Sequence, residues 1–371
     1  MTDAAPITES IGLIGVDAYP HRRAGHCGSG AMRDLLEWSG LSWHAEPLSE
    51  GTVFGLGGEL GFSYVRSPGL GSPFYLVGRG PDLTVRLAQR LGIDLRVLSG
   101  DDPDEGWRWV RDELDRGRPV LCWADMRELP YLRVRMQMSR HDIVVTGYDP
   151  TSESVRVVDN DRDDPQLIPY AALAAARSST GFPHPTRHTC YPMRFPADLP
   201  DRRRASSGAA ADAIRGMRDT DRSPGVGVPA SEGASGSGLH GVHVFVEDVR
   251  RWPDLFAPEE QDGRPPALHV ALLTLAAFIE KAGTGGGLFR SLQAGFLEDL
   301  AADHIEVRPA AEAYRGLADR WRAVAGAATA DPEPSSALDR WSTVRDLVSD
   351  LPALEAAAVG ELDRVTRLAD A

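Results

Sequence analysis

A cysteine near the amino terminus stands where a helix is predicted to begin. Cys27 lies between His26 and Gly28, and the residues from about Ala31 onward are predicted to be helical. The free amides and the positive dipole end of a helix lower the pKa of a thiol, and the thiolate is the nucleophilic form. The position of Cys27 therefore predicts a reactive thiol.

A histidine and an aspartate that could activate this thiol lie in a predicted β-hairpin. Two runs of β-branched residues flank a turn at residues 149–152, which contain Asp, Pro, Thr and Ser. If the turn centres near residue 150 or 151, His141 faces Asp159 or Asn160 with Cβ atoms about 5 Å apart. A carboxylate at that distance can orient an imidazole. Together with the thiol, the hairpin predicts the nucleophile, base and orienting acid of a cysteine enzyme.

Several stretches of the chain resemble the butirosin biosynthesis protein H family. The amino-terminal ones are residues 25–29 around the cysteine, the glycine-rich run 48–62, and the strand 141–149. In the second half, residues 285–298 resemble the helical domain that is usually fused to this family. The resemblance implies an α+β fold, in which a papain-like domain similar to C39 peptidases precedes a mainly α-helical domain.

The resemblance also implies an activity. Members of the family are acyltransferases of antibiotic biosynthesis, which move an acyl group from an acyl carrier protein through a cysteine thioester to an amine. By motif position, the nucleophile, base and orienting carboxylate correspond to Cys27, His141 and Asp159. The donor brings its own 4'-phosphopantetheine arm and an activated thioester, so we expect no nucleotide, metal or organic cofactor.

Further residues are candidates for supporting roles. C39 peptidases commonly place a glutamine six residues before the cysteine as an oxyanion donor, and His21 occupies that position here. A loop histidine with a backbone partner is the other interpretation of His21. The candidate oxyanion donors or supports are His21, Gly28 and Asn160. The candidate contacts to the substrate or carrier are Glu50, Gly285 and Arg290. The glycine run 283–287 could bind a phosphate at a helix start, or act as a hinge or cap.

Two other functions use the same residues. If water replaces the amine as acceptor, the chain is a Cys-His-Asp hydrolase, that is, a peptidase, amidase or thioesterase. If Cys27 is only a small buried residue and the histidine only a core residue, the chain is a noncatalytic binding or chaperone-like protein on a papain-like scaffold. The sequence leaves these alternatives open.

The chain contains no convincing metal motif. The acidic run 159–164 lacks the glycine that a calcium loop needs at its sixth position, and its twelfth position is Tyr170 rather than glutamate. Cys190 with His184 and His188 lacks a second pair of ligands at a zinc-site spacing. We therefore predict no metal site.

Charge and composition constrain the partners. The formal charge of −14 argues against a nucleic-acid partner and favours a cationic amine acceptor. An acidic carrier would need a local arginine patch, and runs 202–204 and 250–251 are candidates, although a solvated charge run is the simpler interpretation. The three cysteines form no disulfide framework, and no apolar run suits a signal peptide or a membrane span. We expect a cytoplasmic protein without membrane contact, with a homo-oligomer left open.

The 371 residues predict two domains. We expect a catalytic domain over residues 1–200 and a mainly helical domain over 239–371. Residues 201–238 are rich in Ala, Gly, Ser and Pro, which predicts a short helix followed by a linker that is weakly ordered over 221–237.

Overall fold

Helices and antiparallel strands alternate through the first half of the chain, and helices dominate the second half. The computed structural model describes residues 12–134, 137–220, 233–257, 259, 265–330 and 337–370. The strands are β1 Ile14–Gly15, β2 Leu60–Arg66, β3 Tyr75–Arg79, β4 Asp94–Leu95, β5 Val120–Ala124, β6 His141–Asp149, β7 Ser154–Val158, β8 Gln166–Pro169, β9 Cys190–Tyr191, β10 Met193–Arg194 and β11 Ala234–Ser237. This architecture confirms the predicted α+β class.

The helices account for most of the residues after β10. They are α1 Cys27–Trp38, α2 Glu50–Gly57, α3 Leu83–Leu91, α4 Pro103–Leu114, α5 Tyr170–Arg177, α6 Arg202–Arg218, α7 Gly238–Arg250, α8 Trp252–Leu255, α9 Ala267–Glu280, α10 Arg290–Ala301, α11 Arg308–Thr329, α12 Ala337–Val348, α13 Leu351–Glu361 and α14 Asp363–Thr366. Short 3-10 turns cover Met126–Glu128, Ile305–Val307 and Arg367–Asp370. Across the described ranges, every helix is too short or too polar to cross a bilayer.

The main sheet carries the predicted hairpin and packs against α1. Its strands run in the order β8-β7-β6-β5-β9, with β1 pairing β6 beyond the end of β5. Side chains alternate between the two faces. Leu121 and Val144 join the core that includes α1, whereas Cys122 and Ile143 join a separate core on the other face. The sheet is therefore buried on both sides, as its β-branched runs require.

The two halves of the chain share one apolar core. Buried residues from α1 and α2, such as Leu36 and Phe54, belong to the same cluster as Phe296 and Trp321 of the carboxy-terminal helices. Strand β11, from beyond residue 200, also pairs antiparallel with β2 in a second sheet, β11-β2-β3. The expected boundary near residue 200 therefore does not separate two independent cores.

The segment that we expected to contain the linker is largely structured where it is described. Residues 202–218 form the long helix α6, and residues 234–237 form β11. The small residues of α6, among them Ala209, Ala210 and Ala213, are buried. The helix predicted at the start of this segment is thus present, and its small side chains allow it to pack closely. Residues 221–232, the centre of the expected linker, lie outside the described residues.

Glycines bring helices α2 and α10 into close contact. A Cβ atom at Gly55 would lie 2.1 Å from Cγ of Phe296, and one at Gly51 would lie 2.9 Å from the backbone of Gly295 and Phe296. These contacts involve backbone and the base of a buried ring, which cannot move aside cheaply. The α2–α10 contact therefore requires glycine.

We predict that Gly55→Ala lowers the free energy of unfolding by about 1–3 kcal/mol, because the added methyl overpacks the α2–α10 contact. Gly316 in α11 is the matched control, since a Cβ there would meet nothing within 4 Å. Gly316→Ala should leave the stability unchanged or raise it by about 0.5–1 kcal/mol. Urea unfolding of both variants measures the difference. Equal stability of the two would contradict the proposed tight contact.

Candidate active site

Cys27 is the first residue of α1, and it borders a cavity of about 350 Å³. Only 9% of its surface is exposed, so a reactant must enter the cavity to reach the thiol. His26 caps the helix, with its Nδ1 accepting the backbone N–H of Ser29 at 3.2 Å. Burial lowers the pKa of His26 well below its ordinary value, and the charge of Arg79 lowers it further. The cap is a neutral imidazole, and the positive end of the helix lies at the thiol.

His141, the first residue of β6, lies beside the thiol. Its Nε2 is 2.7 Å from Oδ2 of Asp159, which leaves Nδ1 for a hydrogen bond with Cys27. Burial alone would lower the pKa of His141, but the charge of Asp159 and the hydrogen bonds to Asp159 and Cys27 raise it well above its ordinary value. The site therefore stabilises an imidazolium next to the thiol.

The Asp159 carboxylate is held by several donors. Its Oδ2 also accepts the Tyr131 hydroxyl at 2.8 Å, and its Oδ1 accepts the backbone N–H of Asp161 at 3.0 Å. Burial would raise the pKa of Asp159, but the charge of His141 and these hydrogen bonds bring it below its ordinary value. The carboxylate stays ionised and can fix the orientation of the imidazole.

His141 and Asp159 meet by a different register from the one we expected. Strands β6 and β7 pair Val144 with Val158, and one further step of that register would place Asp159 opposite Ile143 rather than His141. The turn is longer than we expected, because Asp149 pairs with Ser154, and the register shift between Val145 and Gly147 removes only one residue of the resulting offset. Asp159 therefore reaches His141 diagonally across the same face of the sheet.

The backbone that leads into Cys27 is held by Glu50 and Asn160. The Glu50 carboxylate accepts the backbone N–H groups of Gly25 and His26, both at 2.9 Å, and the Ser29 hydroxyl at 3.0 Å. The Asn160 side chain donates to the Ala24 carbonyl at 3.0 Å. Both side chains position the loop before the nucleophile. For Glu50 this differs from the expected substrate contact, because its oxygens bind the protein's own backbone.

A left-handed turn from the carboxy-terminal half reaches the same loop. Residues 285–289 all have positive φ angles, including 53° at Leu288 and 69° at Phe289. The Gly285 N–H donates to the Gly25 carbonyl at 3.0 Å, and a Cβ at Gly25 would lie 2.5 Å from the Gly285 Cα. Phe289 packs edge-on against His26 with ring centroids 5.3 Å apart. Gly285 thus holds the loop at residues 24–26, which leads into Cys27, through its backbone.

His21 and Gly28, predicted as oxyanion donors or supports, have other contacts. The His21 ring nitrogens lie 2.7 Å from the Asp34 carboxylate and 2.7 Å from the Arg162 carbonyl. Burial lowers the pKa of His21, but the two hydrogen bonds outweigh this effect and raise the pKa above its ordinary value. Both nitrogens are occupied, so His21 has none left for an oxyanion. Gly28 lets a carboxylate approach, because a Cβ there would lie 2.9 Å from Asp142 Oδ2.

Arg290, predicted as a substrate contact, is fully buried. Its guanidinium forms a bidentate pair with Glu355 at 2.9 and 3.1 Å and donates to the Gly78 carbonyl at 3.0 Å. A cation with these partners cannot be reached by a substrate. Its role is to attach α10 to the strand that forms one cavity wall.

The cavity has walls from both halves of the chain. Tyr75 and Met138 from the first half, with Phe278 and Phe289 from the second, give it an apolar surface. The cationic residues Arg79, Arg140 and Lys281 also line it. Arg79 donates to the Gly80 carbonyl and Arg140 to the Pro81 carbonyl. Among the described residues, neither arginine lies within ion-pair distance of a carboxylate, so both charges remain available to an anion.

Sequence reasoning missed several residues that shape this site. Tyr131, which binds Asp159, lies in a loop without a recognisable pattern. Arg79 ends a strand, and Arg140 directly precedes the predicted base. The position of Arg140 beside His141 is a signal that could have been used, whereas the other two depend on tertiary contacts. No group of three or more potential metal ligands occurs among the described residues.

Two family models match most of the chain. Residues 26–160 match the family model described as butirosin biosynthesis protein H, N-terminal. Residues 171–362 match a domain of unknown function, DUF4872. The two models adjoin each other over most of the chain and give the domain order of that family. No curated protein matches the sequence.

We predict that Asp159→Asn folds normally but lowers the rate at Cys27 by roughly 10²-fold or more, because a neutral amide no longer fixes and stabilises the imidazolium. Tyr131→Phe is the matched control, since it removes only one of the donors to the same carboxylate and should cost less than about 10-fold by the modest worth of a single hydrogen bond. Iodoacetamide alkylation of Cys27 measures both. Wild-type alkylation of Asp159→Asn would move the orienting role to Asn160 or Asp161.

Proposed function

The chain belongs to the butirosin biosynthesis protein H family, which implies a biosynthetic enzyme of that type, and from this premise we propose that it is a cysteine-dependent acyltransferase. It would take an acyl group from an acyl carrier protein thioester and transfer it to an amine. The observation that carries the proposal is the arrangement of Cys27, His141 and Asp159 at a cavity walled by both halves of the chain.

The proposed reaction has two halves and needs no external activation. In the first, the Cys27 thiolate attacks the donor thioester, the new carbon–sulfur bond forms, and the pantetheine thiolate leaves with a proton from His141. In the second, the acceptor nitrogen attacks the Cys27 thioester and passes a proton to His141, and the cysteine thiolate is released. The raised pKa of His141 suits the acid role in the first half.

The charges around the cavity are consistent with an anionic donor. Arg79, Arg140 and Lys281 would attract the phosphate of a pantetheine arm or an acidic carrier surface. The carboxylates Asp161 and Glu280 also line the cavity and could attract a protonated amine. A cationic acceptor, as the net charge of −14 suggests, would bind near these carboxylates.

An amide-forming enzyme must protect its thioester from water until the amine arrives. We therefore predict that an acylated carrier protein yields amide faster than free acid when a polyamine or an aminoglycoside is present at modest concentration. Chromatographic product analysis with and without the amine measures the ratio, and Cys27→Ala serves as the inactive control. Sustained hydrolysis that no amine diverts would leave the hydrolase as the function.

We also predict that added salt weakens binding of the cationic acceptor. Exposed charges separated by more than about 8–10 Å are screened at physiological ionic strength, so the attraction of an acidic surface should fade as salt rises. The KM for the amine should increase with ionic strength, while a neutral amine such as methoxyamine serves as the comparison. An equal salt response of the two amines would exclude electrostatic attraction of the acceptor.

A further inference from the structure

The proposed acyl transfer creates an oxyanion, and the position six residues before Cys27 cannot stabilise it. His21 occupies that position with both ring nitrogens bound to Asp34 and Arg162. The first amides of α1 have no acceptor within the helix and can supply one side of an oxyanion site. We propose, on the basis of the proposed function, that Asp142 is a catalytic residue that supplies the other side, as a protonated carboxyl donating to the oxyanion.

The geometry places Asp142 at the reacting atom. Its Oδ2 lies 3.9 Å from the Cys27 Sγ. Side chains alternate along β6, so Asp142 lies on the same face as Val144, and α1 packs against this face. His141 lies on the other face. The thiol therefore has His141 and Asp142 as neighbours from two sides. The glycine at position 28 is what permits the approach, since a Cβ there would lie 2.9 Å from Oδ2.

The surroundings of Asp142 favour the neutral acid. Its Oδ1 is shielded from solvent and has no hydrogen-bond partner among the described residues. Burial raises the pKa of Asp142 above its ordinary value, against the opposing charges of Arg140, Arg79 and His141 and a hydrogen bond from Cys27. Trp123 of β5 pairs with Asp142, and the buried Tyr191 lines the same cavity as Asp142. A carboxylate this close to a thiolate would also repel it, whereas a carboxylic acid can donate to it.

The same proton can serve the thiolate and then the oxyanion. When Sγ attacks the acyl carbon, the carbon–sulfur bond forms and the π electrons of the carbonyl move to its oxygen. The proposal places that oxygen on the side of Sγ where the Asp142 Oδ2 lies 3.9 Å away, toward the neighbouring cavity that Gly28 and Asp142 line. The Asp142 O–H donates to the oxygen and keeps its proton. When the tetrahedral intermediate collapses, the carbonyl reforms and His141 protonates the leaving thiolate.

Substitutions of Asp142 distinguish a hydrogen-bond donor from a carboxylate. Asp142→Asn keeps the shape and always carries donor hydrogens, so its single-turnover acylation rate with an acylated carrier protein should stay within about 10-fold of wild type. Asp142→Ala removes the donor and should lose roughly 10²–10³-fold in rate. Asp149→Asn, at the far, half-buried end of the same strand, is the control for the chemical change and should behave as wild type.

The pH profile provides a readout that a merely structural role would not move. In the wild type the donor is lost as pH rises through the pKa of Asp142, so the acylation rate should fall on the alkaline side of that value. Asp142→Asn cannot ionise, and its rate should persist to higher pH. The measurement spans about pH 5–9, where the site groups titrate together and the apparent values belong to the cluster.

The outcomes separate this inference from the proposed function. If Asp142→Asn loses as much rate as Asp142→Ala, the ionised carboxylate is required, for instance to bind an ammonium group, and the donor role is wrong. If Asp142→Ala acylates like the wild type, Asp142 takes no part. If the wild type forms no acyl-enzyme while its thiol still reacts with iodoacetamide, the acyl-transfer proposal fails instead.

Discussion

The position of the thiol depends on how the backbone of residues 24–26 satisfies its polar groups. A loop entering a helix has no internal partners for these groups, and His26, the residue next to the thiol, is buried away from water. Glu50 from α2 accepts two of its N–H groups, Asn160 from the hairpin exchanges hydrogen bonds with Ala24, and Gly285 from the second half donates to Gly25. Distant segments of the chain therefore have to be in place before Cys27 can face His141.

This constraint explains why the two halves share one core. The Gly25–Gly285 contact allows no side chain, and the α2–α10 contact allows none at Gly55. The buried pair of Arg290 and Glu355 adds a connection to β3, whose last residue lines the cavity. Removing one member of such a pair leaves a buried charge without a partner, which costs more than the pair itself contributes. The helical half thus forms part of the cavity wall and holds the loop before Cys27 in place.

The family resemblance predicted the α+β class, and local patterns were enough to predict the helix that begins near Cys27 and the hairpin that carries His141 and Asp159. The hairpin register was missed because the turn between Asp149 and Ser154 is longer than the turn residues suggested, and the shift inside β6 removes only one residue of that difference. The surroundings of Arg290 were also missed, since Glu355 lies 65 residues away and only the fold brings it close. In residues 201–238 the predicted short helix is present as α6, whereas the described end of the expected linker forms β11, whose pairing with β2 depends on the fold.

The central claim is that Cys27 accepts the acyl group covalently with His141 as its proton partner. The most direct test is the intact mass of the protein after a brief exposure to an acylated carrier protein and an acid quench, followed by peptide mapping. The account predicts the addition of one acyl group to Cys27 in the wild type, and its absence in Cys27→Ala and, at the same short time, in His141→Ala. An acyl group mapped to another residue, or turnover by Cys27→Ala, would contradict it.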